Sequence, residues 1–203
     1  ILAIQRILKN YETTVLVVDD SKLYRKKIIN YLQTKNLNVL EAANGKIALE
    51  ILEKSDNKVS LVIADYMMPE MDGLTLTANI RKKYKKDSLG IIIMSVVNEK
   101  KIINQFLKFG ANDYLVKPLL EEEIISRVDN NLHNLILFEE IKNLANKDFL
   151  TGAYNRRYFF NSGDAIFKKN VRKQNNLAIA MLDIDRFKNI NDSYGHNIGD
   201  IAL

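Results

Sequence analysis

Cysteine is missing from all 203 residues. Its absence excludes a disulfide scaffold and any thiolate-held metal, and it fits a reducing compartment. No apolar run reaches the roughly 18–20 residues needed to cross a bilayer; the longest, around Ile91–Val97, is strand-sized. The expectation is therefore a cytoplasmic chain with no membrane span. There is no low-complexity stretch and no basic start followed by an apolar stretch and a cleavage site. Residue 1 is Ile, and Gly199-Asp200-Ile201-Ala202-Leu203 carries no helix-ending signal, so the chain reads as a piece of a longer protein. Neither charge dominates: 30 Lys+Arg against 25 Asp+Glu leave a net +5. The densest basic cluster, from Arg81 to Lys86, falls at a predicted helix end, where lysines offset the helix dipole, so no nucleic-acid partner is expected. What is present is an ordinary globular mixture, 47% hydrophobic and 27% charged, long enough for one large domain or two small ones.

From Thr13 onward short β-branched runs alternate with amphipathic stretches. Val15–Val18, Asn38–Leu40, Leu61–Ala64, Ile91–Met94 and Tyr114–Val116 read as strands; Lys22–Gln33, Gly45–Glu53, Leu74–Tyr84, Lys100–Phe109 and Glu121 onward read as helices. Five strand-then-helix units predict an α/β fold, a doubly wound five-stranded parallel sheet with helices on both faces. Such a sheet gathers its polar site at the carboxyl ends of its strands. The last helix is extended. Ile124, Val128, Leu132, Leu135, Phe138, Ile141 and Ala145 recur at spacings of three and four, one apolar stripe of about six turns. Its first turns lie on the sheet; beyond about His133 it reads as a coiled-coil-like connector that pairs with a copy of itself. The division expected is 1–12 as the end of an upstream helix, with Ile1, Ile4, Ile7 and Leu8 on one face, then a domain over 13–130, a connector over 131–146 and a second domain over 147–203.

Carboxylates collect at the predicted strand ends. Asp19 and Asp20 follow Val15–Val18, and Asp65 follows Leu61–Ala64. Three such groups repel unless a cation sits among them, and all-oxygen ligation suits Mg²⁺. A helix cap is the plainer role for the Asp20-Ser21 pair. Ser95 and Lys117 close the next two strands. A carboxylate that receives a phosphoryl group needs positive charge on the transferred oxygens and a hydroxyl that can bind the product. A nucleotide-binding loop would need backbone N–H donors instead, and Asp19-Asp20-Ser21-Lys22 would repel phosphate.

The segments VLVVDDS, LVIADYMMPEMDG, IIIMS and YLVKP, in that order, resemble the flavodoxin-like receiver domain of two-component response regulators over residues 14 to about 130. The resemblance implies that Asp65 accepts a phosphoryl group from a histidine kinase or phosphotransfer protein. It implies Mg²⁺ held by Asp19, Asp20, Asp65 and the Met67 backbone carbonyl, Lys117 as phosphate partner, Ser95 as switch hydroxyl, Tyr114 as the aromatic that moves with it, and a cis Lys117–Pro118 bond. Val96 stands where the family mostly has a small residue. Neither Met67 nor Val97 offers a polar group to orient a hydrolytic water, so a long-lived phospho-aspartate is expected.

A second group follows Asn146. Ala178–Leu182 reads as an apolar strand delivering Asp183 and Asp185 to its end; Gly195-His196 and Gly199-Asp200 read as turns and a cap. His196 has no second His or Cys at metal spacing, so zinc is not expected. KDFLTGAYNRRYFF and LDIDRFKNINDSYGHNIGD resemble the opening half of a GGDEF domain, the α+β fold that condenses two GTP into cyclic di-GMP. The resemblance implies Asp183 as a Mg²⁺ ligand, the backbone around Ile184 to Lys188, with Phe187 and Lys188, on the GTP phosphates, and Asn191 and Asp200 on guanine. No Gly-Gly-Asp/Glu-Glu-Phe string occurs in these residues, so this chain is expected to lack cyclase activity and its output sheet to be incomplete.

The reading that follows is a phosphorylation switch that controls a diguanylate cyclase by forming a homodimer. The alternative is a receiver whose output binds GTP, cyclic di-GMP or a protein partner without catalysis.

Overall fold

A computed structural model describes residues 13–54, 59–96 and 100–203; the expected lead helix over 1–12 and Val97 lie outside them. The first unit is a parallel sheet of β1 (Thr14–Val18), β2 (Asn38–Ala42), β3 (Val59–Asp65), β4 (Gly90–Ser95) and β5 (Asp113–Val116) in the order β2-β1-β3-β4-β5. Between them run α1 (Lys22–Gln33), α2 (Gly45–Glu53), α3 (Gly73–Lys83) and α4 (Lys100–Phe109), and after β5 comes α5 (Glu121–Asn146). This is the doubly wound α/β fold expected. Side chains of successive strand residues alternate between faces, and both faces are apolar. Leu16, Val18, Ala64, Ile91 and Ile93 pack with Ala48, Leu76, Ile80 and Phe106 of α2–α4. Val15, Val17, Leu61, Ile63, Ile92 and Met94 pack with Ile28 and Leu32 of α1 and Ile124 and Val128 of α5. Three helices start on sequence-encoded caps: the side chains of Ser21, Asn44 and Asp72 accept the backbone N–H of Tyr24, Ile47 and Thr75.

At the far end of the sheet from these caps, Arg81 ties α3 down. Its guanidinium donates to the carbonyls of Tyr84, Lys85, Leu89 and Gly110 and to Asn112 Oδ1. Burial pushes its pKa down to about 10.

Helix α5 is continuous for 26 residues, about 39 Å. Ile124 and Val128 are buried, whereas Leu137, Phe138, Ile141 and Leu144 are exposed. The chain divides into units 1–138 and 139–203.

In the second unit, Lys147 and Tyr154 form an antiparallel bridge. Asp148 Oδ1 accepts the N–H groups of Leu150 and Thr151 and the Thr151 hydroxyl. The carbonyls at the end of α5 are satisfied from the cap and first turn of the next helix: Asn155 N–H donates to the Asn146 carbonyl, and the side chains of Asn155 and Arg157 both donate to the Ala145 carbonyl. Then come α6 (Arg156–Lys173), α7 (Phe187–Tyr194) and α8 (His196–Ala202).

Two expectations for this unit are corrected. Ala178–Leu182 forms no strand: 175–184 is irregular, and Met181 and Leu182 are almost fully exposed. A strand needs a hydrogen-bonding neighbour, and none of the described residues pairs with this run. Gly199-Asp200 is no turn, since both lie inside α8. Gly199 is there because of α7: a Cβ would sit 1.8 Å from Asn191 Oδ1. Gly195, at φ +83°, makes the expected turn between the two helices.

Candidate functional site

The strand order reverses between β1 and β3, and their carboxyl ends deliver the acids. Oxygens of Asp19, Asp20 and Asp65 lie within 4.8 Å of one another, the one such cluster among the described residues. Asp19 is fully buried, Asp65 nearly so, and Asp20 is exposed. Asp19 Oδ1 accepts the Ser21 N–H at 2.8 Å. The capping role goes to Ser21, leaving both acids to the cluster.

Lys117, on the loop after β5, crosses to this edge. Its ammonium lies 2.9 Å from Asp19 Oδ2 and 3.0 Å from Asp65 Oδ1. Its backbone N–H donates to the Ser95 carbonyl, and the Lys117–Pro118 bond is cis. Ser95 is buried at the end of β4, beside β3 and β5. Tyr114 is half-buried on β5 with the Arg127 guanidinium carbon 5.9 Å from its ring. The Met67 and Val96 side chains are exposed.

Burial pushes the Asp65 carboxyl above the usual carboxylate range, and the charge of Asp19 adds to this; Lys117 opposes it. Burial acts to lower the Lys117 ammonium, but its hydrogen bonds and charge pairing with Asp19 and Asp65 outweigh that and hold it above the usual lysine value. Three carboxylates facing one ammonium leave excess negative charge. An all-oxygen donor set in this state fits a hard divalent cation such as Mg²⁺.

Gly73 closes the loop beneath the cluster. Its N–H donates to the Tyr66 carbonyl at 2.9 Å, and Thr77 Oγ1 donates to the Gly73 carbonyl. A Cβ there would lie 2.4 Å from the Asp65 carbonyl oxygen.

Two residues went unread in the sequence. Arg25 donates from Nη1 to the carbonyls of Asp19 and Asp20 and from Nε to Glu41. The Tyr24 ring lies over Lys117, with Nζ 4.3 Å from its centroid. Their spacing from the Ser21 cap, three and four residues on, is the signal that places them at this edge.

In the second unit α7 carries Phe187, Lys188 and Asn191, and α8 carries Asp200; the Asn191 amide abuts Gly199, next to Asp200. Asp183 stands on the irregular stretch, outside the acidic cluster.

The family model for the response regulator receiver domain matches residues 15–129, and that for the diguanylate cyclase GGDEF domain matches residues 145–203. The chain is 29% identical over 196 residues to the response regulator PleD of Caulobacter vibrioides, which covers 93% of this chain and 42% of PleD. It is 38% identical over 110 residues to the two-component response regulator ORR11 of Oryza sativa, covering 54% and 74%. The solved structure of a probable two-component system response regulator/GGDEF domain protein superposes with a TM-score of 0.62 at 39% identity, over 66% of this chain and 54% of that one. The chemotaxis response regulator CheY4 of Vibrio cholerae superposes with a TM-score of 0.55 at 26% identity, over 59% of this chain and 98% of that one. The chain thus spans less than half of PleD and about half of the first structure.

Proposed function

This chain belongs to the response regulator receiver family, with the start of a GGDEF domain behind it, and on that premise we propose that phosphorylation of Asp65 switches a diguanylate cyclase output. The observation that carries the reading is the Lys117 ammonium held at 2.9 and 3.0 Å between Asp19 and Asp65. The donor is a phosphohistidine on a histidine kinase or phosphotransfer protein. An Asp65 carboxylate oxygen attacks phosphorus, the P–N bond breaks, and the imidazole leaves with its electron pair and takes a proton.

Asp19, Asp20, Asp65 and the Met67 carbonyl are the proposed holders of Mg²⁺, which when bound supplies positive charge to the phosphoryl oxygens. Lys117 brings a second cation to the same oxygens, and its bond to Asp65 keeps that carboxyl aimed at the donor. Ser95 is the hydroxyl that takes a phosphoryl oxygen, and Tyr114 follows it inward, which alters the face of α4, β5 and α5.

The output step is the condensation of two GTP molecules into cyclic di-GMP, which needs two GTP-loaded copies face to face. Dimerisation is therefore the proposed signal, and the exposed Leu137, Ile141 and Leu144 at spacings of four and three on α5 support pairing. Asp183 as metal ligand, Phe187 and Lys188 at the phosphates, and Asn191 and Asp200 at guanine are the proposed GTP groups. This chain, with no Gly-Gly-Asp/Glu-Glu-Phe string, is proposed to be inactive as a cyclase. No helix among the described residues is long and apolar enough to cross a membrane, and a cytoplasmic setting is part of the proposal.

Two measurements test it. Acetyl phosphate with Mg²⁺ should add one phosphoryl group by intact mass, and Asp65→Asn should abolish the addition. Beryllium fluoride should raise the mass in light scattering to that of a dimer, and Ile141→Asp should prevent this. A chain that takes up no phosphoryl group, or one whose mass ignores the mimic, overturns the corresponding half.

A further inference from the structure

Lysine is an awkward residue to hold still. Its ammonium is a compact charge on a stem of four rotatable carbons, yet phosphoryl transfer needs that charge at a fixed place. At this site two donor directions of Lys117 are taken by Asp19 and Asp65, and the ring face of Tyr24 closes over the ammonium at 4.3 Å. The side chain of Lys117 is left 7% exposed. Such a distance is well inside the range in which a ring quadrupole attracts a cation, and exclusion of water strengthens the attraction. The ring is itself anchored: the Tyr24 N–H donates to the Ser21 cap, and the ring packs on the cluster that holds Val15, Val17 and Leu115. One contact therefore joins the first turn of α1 to the loop after β5. Lys27 makes a parallel tie by donating to the Leu119 carbonyl.

We propose that Tyr24 is a positioning residue for phosphoryl transfer to Asp65, its ring face holding the Lys117 ammonium in place between the carboxylates. The inference rests on Asp65 being the phosphoacceptor. An aliphatic residue of similar bulk would fill the same space without attracting the charge, so packing and cation–π attraction give different predictions.

The full chain carrying Tyr, Phe, or phenylalanine fluorinated stepwise at position 24 separates them, because fluorine drains the ring face of negative charge while barely changing its shape. Each variant is given phosphoramidate and Mg²⁺, and phosphoryl uptake is timed by intact mass. The expected result is a rate for Tyr24→Phe close to the parent's and a stepwise fall with each fluorine, reaching on the order of three- to thirtyfold at full fluorination. In parallel, the Lys117 ε-methylene resonance should be shifted upfield by the ring in the parent and relax in Tyr24→Leu. Uptake that is normal in the parent and flat across the fluorinated series overturns the role of Tyr24 alone. An unaltered chain that takes up no phosphoryl group, matching Asp65→Asn, overturns the phosphoacceptor reading and this inference with it.

Discussion

Replacing Gly73 with alanine sets two terms of opposite sign against each other. Alanine is the better helix former, by up to about 1 kcal/mol, so propensity alone favours the change at the start of α3. The new Cβ, however, would lie 2.4 Å from the Asp65 carbonyl oxygen, 3.1 Å from Tyr66 Cα and 3.2 Å from the Asp65 carbonyl carbon. All three are backbone atoms, so no side-chain rotation relieves them, and an ordinary contact requires the loop to retreat by about 1 Å. Overpacking costs about 1–3 kcal/mol, and a rigid neighbour places this case at the upper end. After the propensity gain the net loss is about 2 kcal/mol, a fall in Tm of roughly 6–12 °C for a unit of this size. Phosphoryl uptake should drop as well, because the retreat moves the backbone from which the Asp65 carboxylate hangs. Calorimetry on three variants gives the comparison. At Gly45 the Cβ meets Met71 Cγ and Sδ at 2.8 Å, which can rotate aside, and Met71 Cβ at 2.9 Å, which cannot, so the loss should be smaller than at Gly73 but not absent. At Gly163 in α6 nothing lies within 4 Å, and alanine there should stabilise its helix by about 0.5–1 kcal/mol. A Gly73→Ala chain that melts at or above the parent would refute the reasoning.

Arg81→Met removes all five hydrogen-bonded contacts of the guanidinium, among them those to the carbonyls of the buried Leu89 and Gly110, so it should cost about 3 kcal/mol; a urea midpoint unchanged from the parent would show that the network carries no weight. Asp65 has its folded pKa raised above the unfolded value of 3.8. Its stabilising contribution is therefore fully present below that value and is lost as pH rises through the folded pKa, so in EDTA the parent should weaken relative to Asp65→Asn as pH rises above 3.8. Lys117, also raised, contributes below the ordinary lysine pKa, 10.5, and its share is lost only as pH climbs through its higher folded value. The exposed thioether at Met67 offers no polar group to orient a hydrolytic water, so phosphorylated Asp65 should persist well beyond seconds with Mg²⁺ in a chase monitored by mass; decay within seconds would sink that expectation.

The first unit was largely legible because its signals are local. Lys22–Gln33, Gly45–Glu53 and Lys100–Phe109 are helices over the residues their spacing predicts. Ser21 announces the first of these starts as a cap. The strands end one residue past prediction at Asp65 and Ser95 and two past at Ala42, because pairing extends a strand beyond its most apolar core. The acidic cluster was readable from the rule that a parallel sheet gathers its site at its carboxyl ends. Tyr24 over Lys117 was not, since a contact between residues 93 positions apart leaves no mark on periodicity. Ala178–Leu182 misled for the converse reason: β-propensity describes a surface that fits a partner, and without one the run stays irregular. Gly199 looked like punctuation, yet its missing Cβ makes room for a neighbouring helix.

The capping of α5 by Asn155 and Arg157 bears on where this chain can be cut and rejoined. A natural place to graft a different input onto the output would be the last residue of the helix, Asn146. Yet the carbonyls of Ala145 and Asn146 are held by side chains and backbone from the turn beyond. A splice there would leave the new helix to supply carbonyls at the right height and angle by chance. A splice further up, near Glu139, keeps the acceptors and their donors on the same fragment. Chimeras built on this scaffold should therefore carry the last two turns of the helix, with Ile141 and Leu144, on the output side and match the helical phase of the new input at the splice.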